Sequence, residues 1–395
     1  MKPTEDNDKL VVDDRVLPDS GLPTENVKGV LDIANEGSGL LRPQLSPSQD
    51  DIYISASQIR RFNLRNGDLI EGVARRPKEN ERYWGLLKVE NVNGQAVEKM
   101  GERKDFERLV AVYPDTKISL TTDKDTLSTR VIDLIAPIGF GQRGLVVSPP
   151  KAGKTWLLKD IIAGIAKNYP DVHLMAILIG ERPEEVTDIK RTMETVTEGR
   201  GEVAASNFDE SPQEQTRAGE LALERGKRLV EEGKDVVVVL DSITRLARAY
   251  NLALPTSGRT LTGGFDPSAL FPAKKFFGAA RKIENDGSLT MIGTCLIETG
   301  SRMDDLIYEE FKGTGNMELH LDRKLSDRRI FPAINVTRSG TRQEELLYSK
   351  DDLEKAHTLR RMLEMISEEE RTETLLERLK KTDTNEQFFK DLTVG

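Results

Sequence analysis

The stretch Leu145-Val-Val-Ser148-Pro-Pro-Lys151-Ala152-Gly153-Lys154-Thr155-Trp156 decides the fold. An apolar run without polar alternation meets a loop of small residues and prolines. Gly153-Lys154-Thr155 then opens into the apolar-periodic segment 156–166. Strand, loop and helix in that order are the context a P-loop requires. The loop aims backbone N–H groups at phosphates, and the helix N-terminus adds partial positive charge. Lys154 then reaches the β and γ phosphates of ATP, and the Thr155 hydroxyl ligates Mg²⁺. Ser148 stands where the strict pattern has its first glycine; a small residue at a strand end makes the same exit.

Working outward, the runs 174–179, 236–240 and 289–297 also lack alternation, as parallel strands covered on both faces do. Amphipathic helical stretches lie between them at 214–232 and 274–284, so the region reads as an open α/β sheet. The run 236–240 ends in Asp241, the Walker B position whose carboxylate holds the Mg²⁺ shell. The run 174–179 leads to Glu181, expected at the carboxyl edge of a strand next to the P-loop strand and facing the ligand crevice. Glu181 is therefore the candidate general base, with Arg182 beside it to sense or hold the γ-phosphate. Glu184 and Glu185 compete for the role, but they follow Pro183 into a helix, where N-terminal charge stabilisation accounts for them.

The N-terminal part reads differently. Residues 1–27 are polar and acidic, and their composition predicts disorder. Residues 28–100 carry short segments at 30–33, 39–41, 52–55, 68–74 and 84–89, with turns at Asn66-Gly67 and around 77–80. Five short strands at that spacing fit a small closed barrel of the OB or cold-shock kind, with a helical turn at 57–61. Residues 101–130 read as a connector and 131–395 as the ATPase domain, whose charged helical end (351–379) reads as a solvated outer element.

At 395 residues the chain can hold two cores. Its net charge of −9 excludes wholesale coating of nucleic acid. Screening confines each charge to its neighbourhood, however, and Arg60, Arg61, Arg65, Arg75, Arg76, Lys78, Arg82 and Lys88 make a local basic segment. The lone Cys295, inside an apolar run, reads as a buried inert thiol, and His173, His320 and His357 lack zinc-ligand spacing. No apolar run is long enough to span a bilayer and the N-terminus has no apolar signal region, so a cytoplasmic location without membrane contact is expected.

From about residue 29 to about residue 347 the chain resembles the bacterial transcription termination factor Rho family. The residues that carry the resemblance are Pro149-Pro-Lys-Ala-Gly-Lys-Thr155, Glu181-Arg-Pro-Glu-Glu-Val186, Leu240-Asp-Ser-Ile-Thr-Arg-Leu-Ala-Arg-Ala-Tyr-Asn251, Phe311-Lys-Gly-Thr-Gly-Asn-Met-Glu-Leu-His320 and, in the barrel, Asp51-Ile-Tyr53 with its continuation to Arg65. The resemblance implies a RecA-type ATPase domain in a homohexamer that moves 5′→3′ along single-stranded RNA and releases it from the RNA polymerase elongation complex. It implies that Arg342 enters the neighbouring subunit's site as an arginine finger, assisted by Arg329; a guanidinium fork suits the charge spread over γ-phosphate oxygens. It assigns nucleotide contacts to Gly139, Phe140, Gly141, Gln142, Arg143 and Gly144, besides Lys151 to Thr155, and adenine packing to Trp156 and Phe331. Residue chemistry alone leaves Phe331 equally readable as core.

Two RNA contacts follow from the same resemblance. In the barrel they involve Gly37, Ser38, Gly39, Leu40, Leu41 and Arg42, then Asp51, Ile52 and Tyr53, then Glu81, Arg82 and Tyr83. Aromatic faces stack bases and basic groups track the backbone. Ser38 and Leu40 stand where relatives carry aromatics, which weakens the site or changes its base preference. The second contact lines a central pore with Leu261, Thr262, Gly263 and Gly264 and with Arg302, where relatives carry lysine; Lys312 is a candidate for coupling the pore to the nucleotide. Other RecA-type motors, such as a DNA recombinase or a rotary ATP synthase subunit, share the P-loop and Walker B pair without this barrel and these loops.

Overall fold

The computed structural model describes residues 21–393. The chain forms two compact units: the first runs to Met100, except for 44–47 and 66–68, which belong with Gly101 onward to the second.

The first unit contains β1 (Thr24–Ile33), β2 (Gly39–Arg42), β3 (Ile52–Ile54), α1 (Ala56–Arg61), β4 (Leu69–Arg75), β5 (Trp84–Val92) and the short β6 (Gln95–Ala96). The sheet runs β3-β2-β1-β4-β5-β6, and a β3–β5 pairing closes it into a barrel. Alternation fills the interior: every second residue of β4 is buried, and Leu31, Leu41, Ile52, Ile54, Ile70 and Leu86 pack together inside. Ser55 and Gln58 form a capping box at the start of α1, and the Gln58 amide donates to the Leu86 and Leu87 carbonyls on β5. Of the tail read as disordered, 1–20 lie outside the described residues. Thr24 to Val27 are not tail but the start of β1, paired with β4 from Thr24 opposite Arg75 to Val27 opposite Gly72.

The second unit opens with β7 (Ala111–Val112), β8 (Lys117–Ile118), α2 (Leu127–Ile135) and β9 (Ile138–Gly139). It continues through β10 (Arg143–Ser148), α3 (Lys154–Asn168), β11 (His173–Glu181), α4 (Pro183–Thr197), β12 (Glu202–Asn207), α5 (Pro212–Glu231), β13 (Asp235–Asp241) and α6 (Ile243–Ala253). Then come α7 (Pro267–Phe277), β14 (Arg281–Ile283), β15 (Ser288–Leu296), α8 (Arg302–Lys312), β16 (Met317–His320), α9 (Arg323–Asp327) and β17 (Gly340–Thr341). Three helices end the chain: α10 (Lys350–Glu364), α11 (Arg371–Leu379) and α12 (Asn385–Thr393).

The main sheet runs β12-β11-β13-β15-β10-β16-β17. All are parallel except the edge strand β17, and β14 adds to β15 antiparallel and carries β7. The stretch read as a connector therefore contributes to this sheet, and Phe106 within it is fully buried. The helix expected over 274–284 stops at Phe277; residues 281–283 are strand because β15 and β7 both offer them backbone partners. The C-terminal segment is also more than a solvated helix. Ala356, Leu359, Leu363, Leu375, Leu376, Leu379, Phe388 and Phe389 join the core that covers one sheet face with α3 and α4. The fully buried Arg130 fastens them, donating to the Leu379 and Thr382 carbonyls (2.9 and 2.7 Å) at the end of α11. Among the described residues no helix is long and apolar enough to cross a membrane.

Candidate functional site

At Ser148 the chain leaves β10; the Ser148 hydroxyl donates to the Pro149 carbonyl (2.9 Å) and its carbonyl accepts the Ile297 N–H (3.2 Å). The loop turns through Lys151 (φ 66°) and Gly153 (φ 89°), both left-handed, before α3 begins at Lys154. Left-handed residues in a short loop let successive N–H groups converge on an anion, and the α3 N-terminus reinforces them.

Lys154 reaches across the strand ends. Its ammonium lies 2.6 Å from Asp241 Oδ1 and 3.4 Å from Glu181 Oε1, with both carboxylates buried. Burial opposes the ammonium, but the two carboxylates outweigh it and hold Lys154 above its usual range. Glu181 is pushed up to about 7, first by burial, then by the Asp241 charge, against the pull of Lys154 and Arg245. Thr294 on β15 donates to Asp241 Oδ1 at 2.7 Å. Lys154 and Thr294 thus both use Oδ1, and neither of these bonds falls on Oδ2.

The strand carrying Glu181 is not beside the P-loop strand, contrary to expectation. Both β13 and β15 lie between β11 and β10. Glu181 reaches the site because β11 overshoots β13, where Leu178 already stands level with Asp241. The register on β12 also shifts between Ile179 and Glu181, leaving Gly180 (φ 63°) as an extra residue. A bulge of this kind re-aims the next side chain, and its left-handed backbone suits glycine. Arg245, in the first turn of α6, holds the result: it donates to the Gly180 carbonyl and to Glu181 Oε2 (3.3 Å), and lies 3.1 Å from Oε1. Sequence reasoning missed Arg245 and Thr294. An arginine one helical turn past Asp241 was a usable signal; Thr294 needed the strand register.

Phe331 is half exposed rather than core, and a methyl built on Gly153 would lie 3.5 Å from its ring. Trp156 projects from the first turn of α3, largely exposed, with Lys159 4.9 Å over its ring. Arg182 is exposed at the head of α4 and lies 3.9 Å from Glu185. The segment from Gly139 to Gly144 does not join these groups within the chain. It leads into the amino end of β10, whose carboxyl end carries the P-loop, roughly 17 Å away at about 3.3 Å per residue. Its polar groups are consumed locally: Gly141 N–H donates to Thr290 (2.8 Å), Gln142 to the Asn316 side chain (2.7 Å), and Arg143 to the Thr314 and Ala280 carbonyls.

Arg342 and Arg329 are exposed and touch none of Lys154, Asp241 and Glu181. Arg342, next to β17, lines an open groove of about 410 Å³ together with Arg338 and Lys312. The two loops assigned to the pore do come together: Gly263 (φ 76°) packs so closely on the start of α8 that a Cβ there would sit 2.5 Å from Met303 N. Leu261, Thr262, Gly264 and Arg302 are exposed around that contact.

On the barrel, Leu40 and Tyr53 are cross-strand partners on one face, and Tyr53 is 45% exposed. Tyr83 carries Arg82 at 5.0 Å from its ring, and Ser38 donates to Glu36 (3.1 Å). Leu41 and Ile52 point into the barrel core and Gly39 is buried, so only backbone there can meet RNA. Arg42 is not the free cation expected. It is clamped between Asp32 and Asp51, at 2.7 Å to each, and this cluster is net negative. Glu81 is likewise occupied, held by both arms of Arg75, whose hydrogen bonds push it down to about 2.

Two family models match. Residues 128–341 match the nucleotide-binding domain of the ATP synthase alpha/beta family, and residues 27–98 match the RNA-binding domain of the Rho termination factor. Among solved structures, a prototypical ATPase from the type III secretion system of pathogenic bacteria aligns with a TM-score of 0.58 at 24% identity, over 72% of this chain and 86% of that one, a likeness of fold. Transcription termination factor Rho of Bacillus subtilis is 57% identical over 365 residues, covering 92% of this chain and 84% of that protein. The Rho of Thermotoga maritima is 54% identical over 366 residues, with the same coverage of each. The chain belongs to the transcription termination factor Rho family.

Proposed function

We propose that the chain is an RNA-dependent ATPase that works as a homohexameric ring, translocates 5′→3′ along nascent single-stranded RNA and releases it from the RNA polymerase elongation complex. The observation that carries the reading is the buried group Lys154, Asp241, Glu181 and Arg245 at the carboxyl edge of a parallel sheet, in a chain that also holds an RNA-binding barrel. Residues 28–100 bind RNA, and 101–395, whose first part is built into the same sheet and core, hydrolyse ATP.

The P-loop N–H groups and Lys154 hold the phosphates, and Phe331 and Trp156 offer faces to the adenine. Thr155 and Asp241 are the oxygen donors that would hold Mg²⁺, which fits their chemistry. When bound, Mg²⁺ neutralises charge on the β and γ phosphates. Glu181 orients water for in-line attack and takes its proton, and Arg245 keeps its carboxylate aimed. Arg342 of the adjacent subunit, assisted by Arg329, stabilises the charge that develops on the γ-phosphate. The barrel face with Tyr53 and Tyr83 binds RNA first, and the loops 261–264 and 298–302 hold it in the channel, with Arg302 on phosphate and Lys312 behind.

ATP turnover measured with RNA and with single-stranded DNA, alongside the mass of the assembly, tests this. Stimulation by RNA alone and a mass of six copies are expected. Equal stimulation by DNA, or full turnover by a monomer, overturns the proposal.

A further inference from the structure

We infer that helix α6 links the RNA-facing loops to the hydrolytic carboxylate, and that the ion pair Arg248–Asp304 is its contact with the loops. The inference rests on the reading that 261–264 and Arg302 meet RNA.

Three side chains spaced three residues apart on α6 make the link. Arg245 holds Glu181 and the Gly180 carbonyl at one end. Arg248, about 4.5 Å further along the axis, donates through Nε to Asp304 Oδ1 at 2.7 Å, with Nη2 at 2.6 Å from the same oxygen. Asn251, another step on, accepts the Asp266 N–H (2.7 Å) and donates to the Gly264 carbonyl (3.4 Å), gripping the loop 261–264 itself.

Asp304 is the junction. It stands two residues beyond Arg302 in the first turn of α8 and is 1% exposed; its other oxygen accepts the Thr299 hydroxyl at 2.6 Å. The Thr299 hydroxyl also accepts the Ser301 N–H at 3.2 Å, so the backbone just before Arg302 is tied to the same carboxylate. Gly263 seats the other loop on this turn, where no side chain could fit without displacing the Met303 backbone. A shift of either loop therefore moves Asp304, and with it the guanidinium on a short helix whose next turn fixes Glu181. Helices transmit such shifts as rigid pieces. Without Arg248, Asp304 keeps the Thr299 hydroxyl and its place in the first turn of α8; what Arg248 adds is the tie to α6.

The test uses the full chain, an unstructured mixed-sequence RNA, and turnover measured with and without it, with thermal unfolding followed in parallel. In Arg248→Gln the ratio of RNA-stimulated to RNA-free turnover is expected to fall by roughly 2- to 30-fold, the span of coupling changes produced by residues between two sites. Asp304→Asn should do the same, and the double variant should be no worse than either single one, as for two halves of one contact. A ratio kept at the wild-type value in Arg248→Gln, whatever happens to its melting point, overturns the inference, as do losses that multiply in the double variant. Arg302→Ala separates the two readings. If RNA stimulation survives it, the loop assignment fails and takes this inference with it. If Arg302→Ala abolishes stimulation while Arg248→Gln keeps it, the loop assignment stands and the link through α6 falls.

Discussion

Both units hold one cation between two buried carboxylates: Lys154 with Asp241 and Glu181 in the ATPase unit, Arg42 with Asp32 and Asp51 in the barrel. In charge and burial the two groups are nearly interchangeable; in geometry they are opposites. The Arg42 fork meets each carboxylate at 2.7 Å, and Ser48 fills an oxygen of Asp51, so its donors are spent on the protein. Lys154 is a point charge with one short contact and one loose one, on a helix that begins at a phosphate-binding loop. A saturated buried ion cluster fixes a fold, whereas an unevenly satisfied one is poised for a ligand to complete it.

The sharpest break between the two clusters should come from Glu181→Gln. Steady-state turnover should fall by about 10²- to 10⁴-fold, the usual cost of losing a general base, while thermal unfolding stays intact. Wild-type turnover in that variant would remove Glu181 from the mechanism. The pH dependence sharpens the same point. Glu181 rises from 4.5 to about 7 in the folded chain, so between those values the native state keeps a proton that the unfolded chain releases. Stability from this group is therefore present at low pH and lost as pH rises through that window. Activity runs the other way: kcat/KM, which reports the free enzyme, should drop below about pH 7 as the base is protonated, and Glu181→Gln should lack that limb.

Arg42→Ala should act on the other cluster and on stability alone. Leaving two buried carboxylates without their cation should cost about 3–5 kcal/mol, read as an earlier barrel transition in chemical denaturation. A barrel that unfolds at the wild-type denaturant concentration would show that this cluster does not hold the fold. The smallest effect belongs to Tyr53→Ala, which should weaken RNA binding by about 1–3 kcal/mol, the worth of one base stack, without touching RNA-free turnover. Unchanged RNA affinity would move the primary contact away from the Leu40–Tyr53 face.

Local pattern made most of this legible in the sequence. The continuous apolar runs and the alternating short segments announced an α/β unit and a barrel; Asp241 and Glu181 were legible because each ends its own strand, and Lys154 because it opens the helix after the loop that leaves β10. What escaped depends on who neighbours whom. The order of strands put β13 and β15 between β11 and β10, which no periodicity encodes. Thr294 matters only because its strand lies beside Asp241, and Arg245 only because α6 turns it toward Glu181. Arg42 counted as free charge until the sheet brought Asp32 across to it. The nucleotide contacts at Gly139 to Gly144 were assigned by the family resemblance alone; within one chain the six residues of β10 separate that segment from the P-loop.

The surplus residue at Gly180 makes hydrolysis a matter of counting. Side chains on a strand alternate between faces, so removing that one residue would slide Glu181 into the neighbouring register and turn its carboxylate toward the opposite layer. The phosphate loop, Lys154 and Asp241 would remain, and with Glu181 as the proposed base turned away the chain would become a protein that holds ATP and leaves it whole.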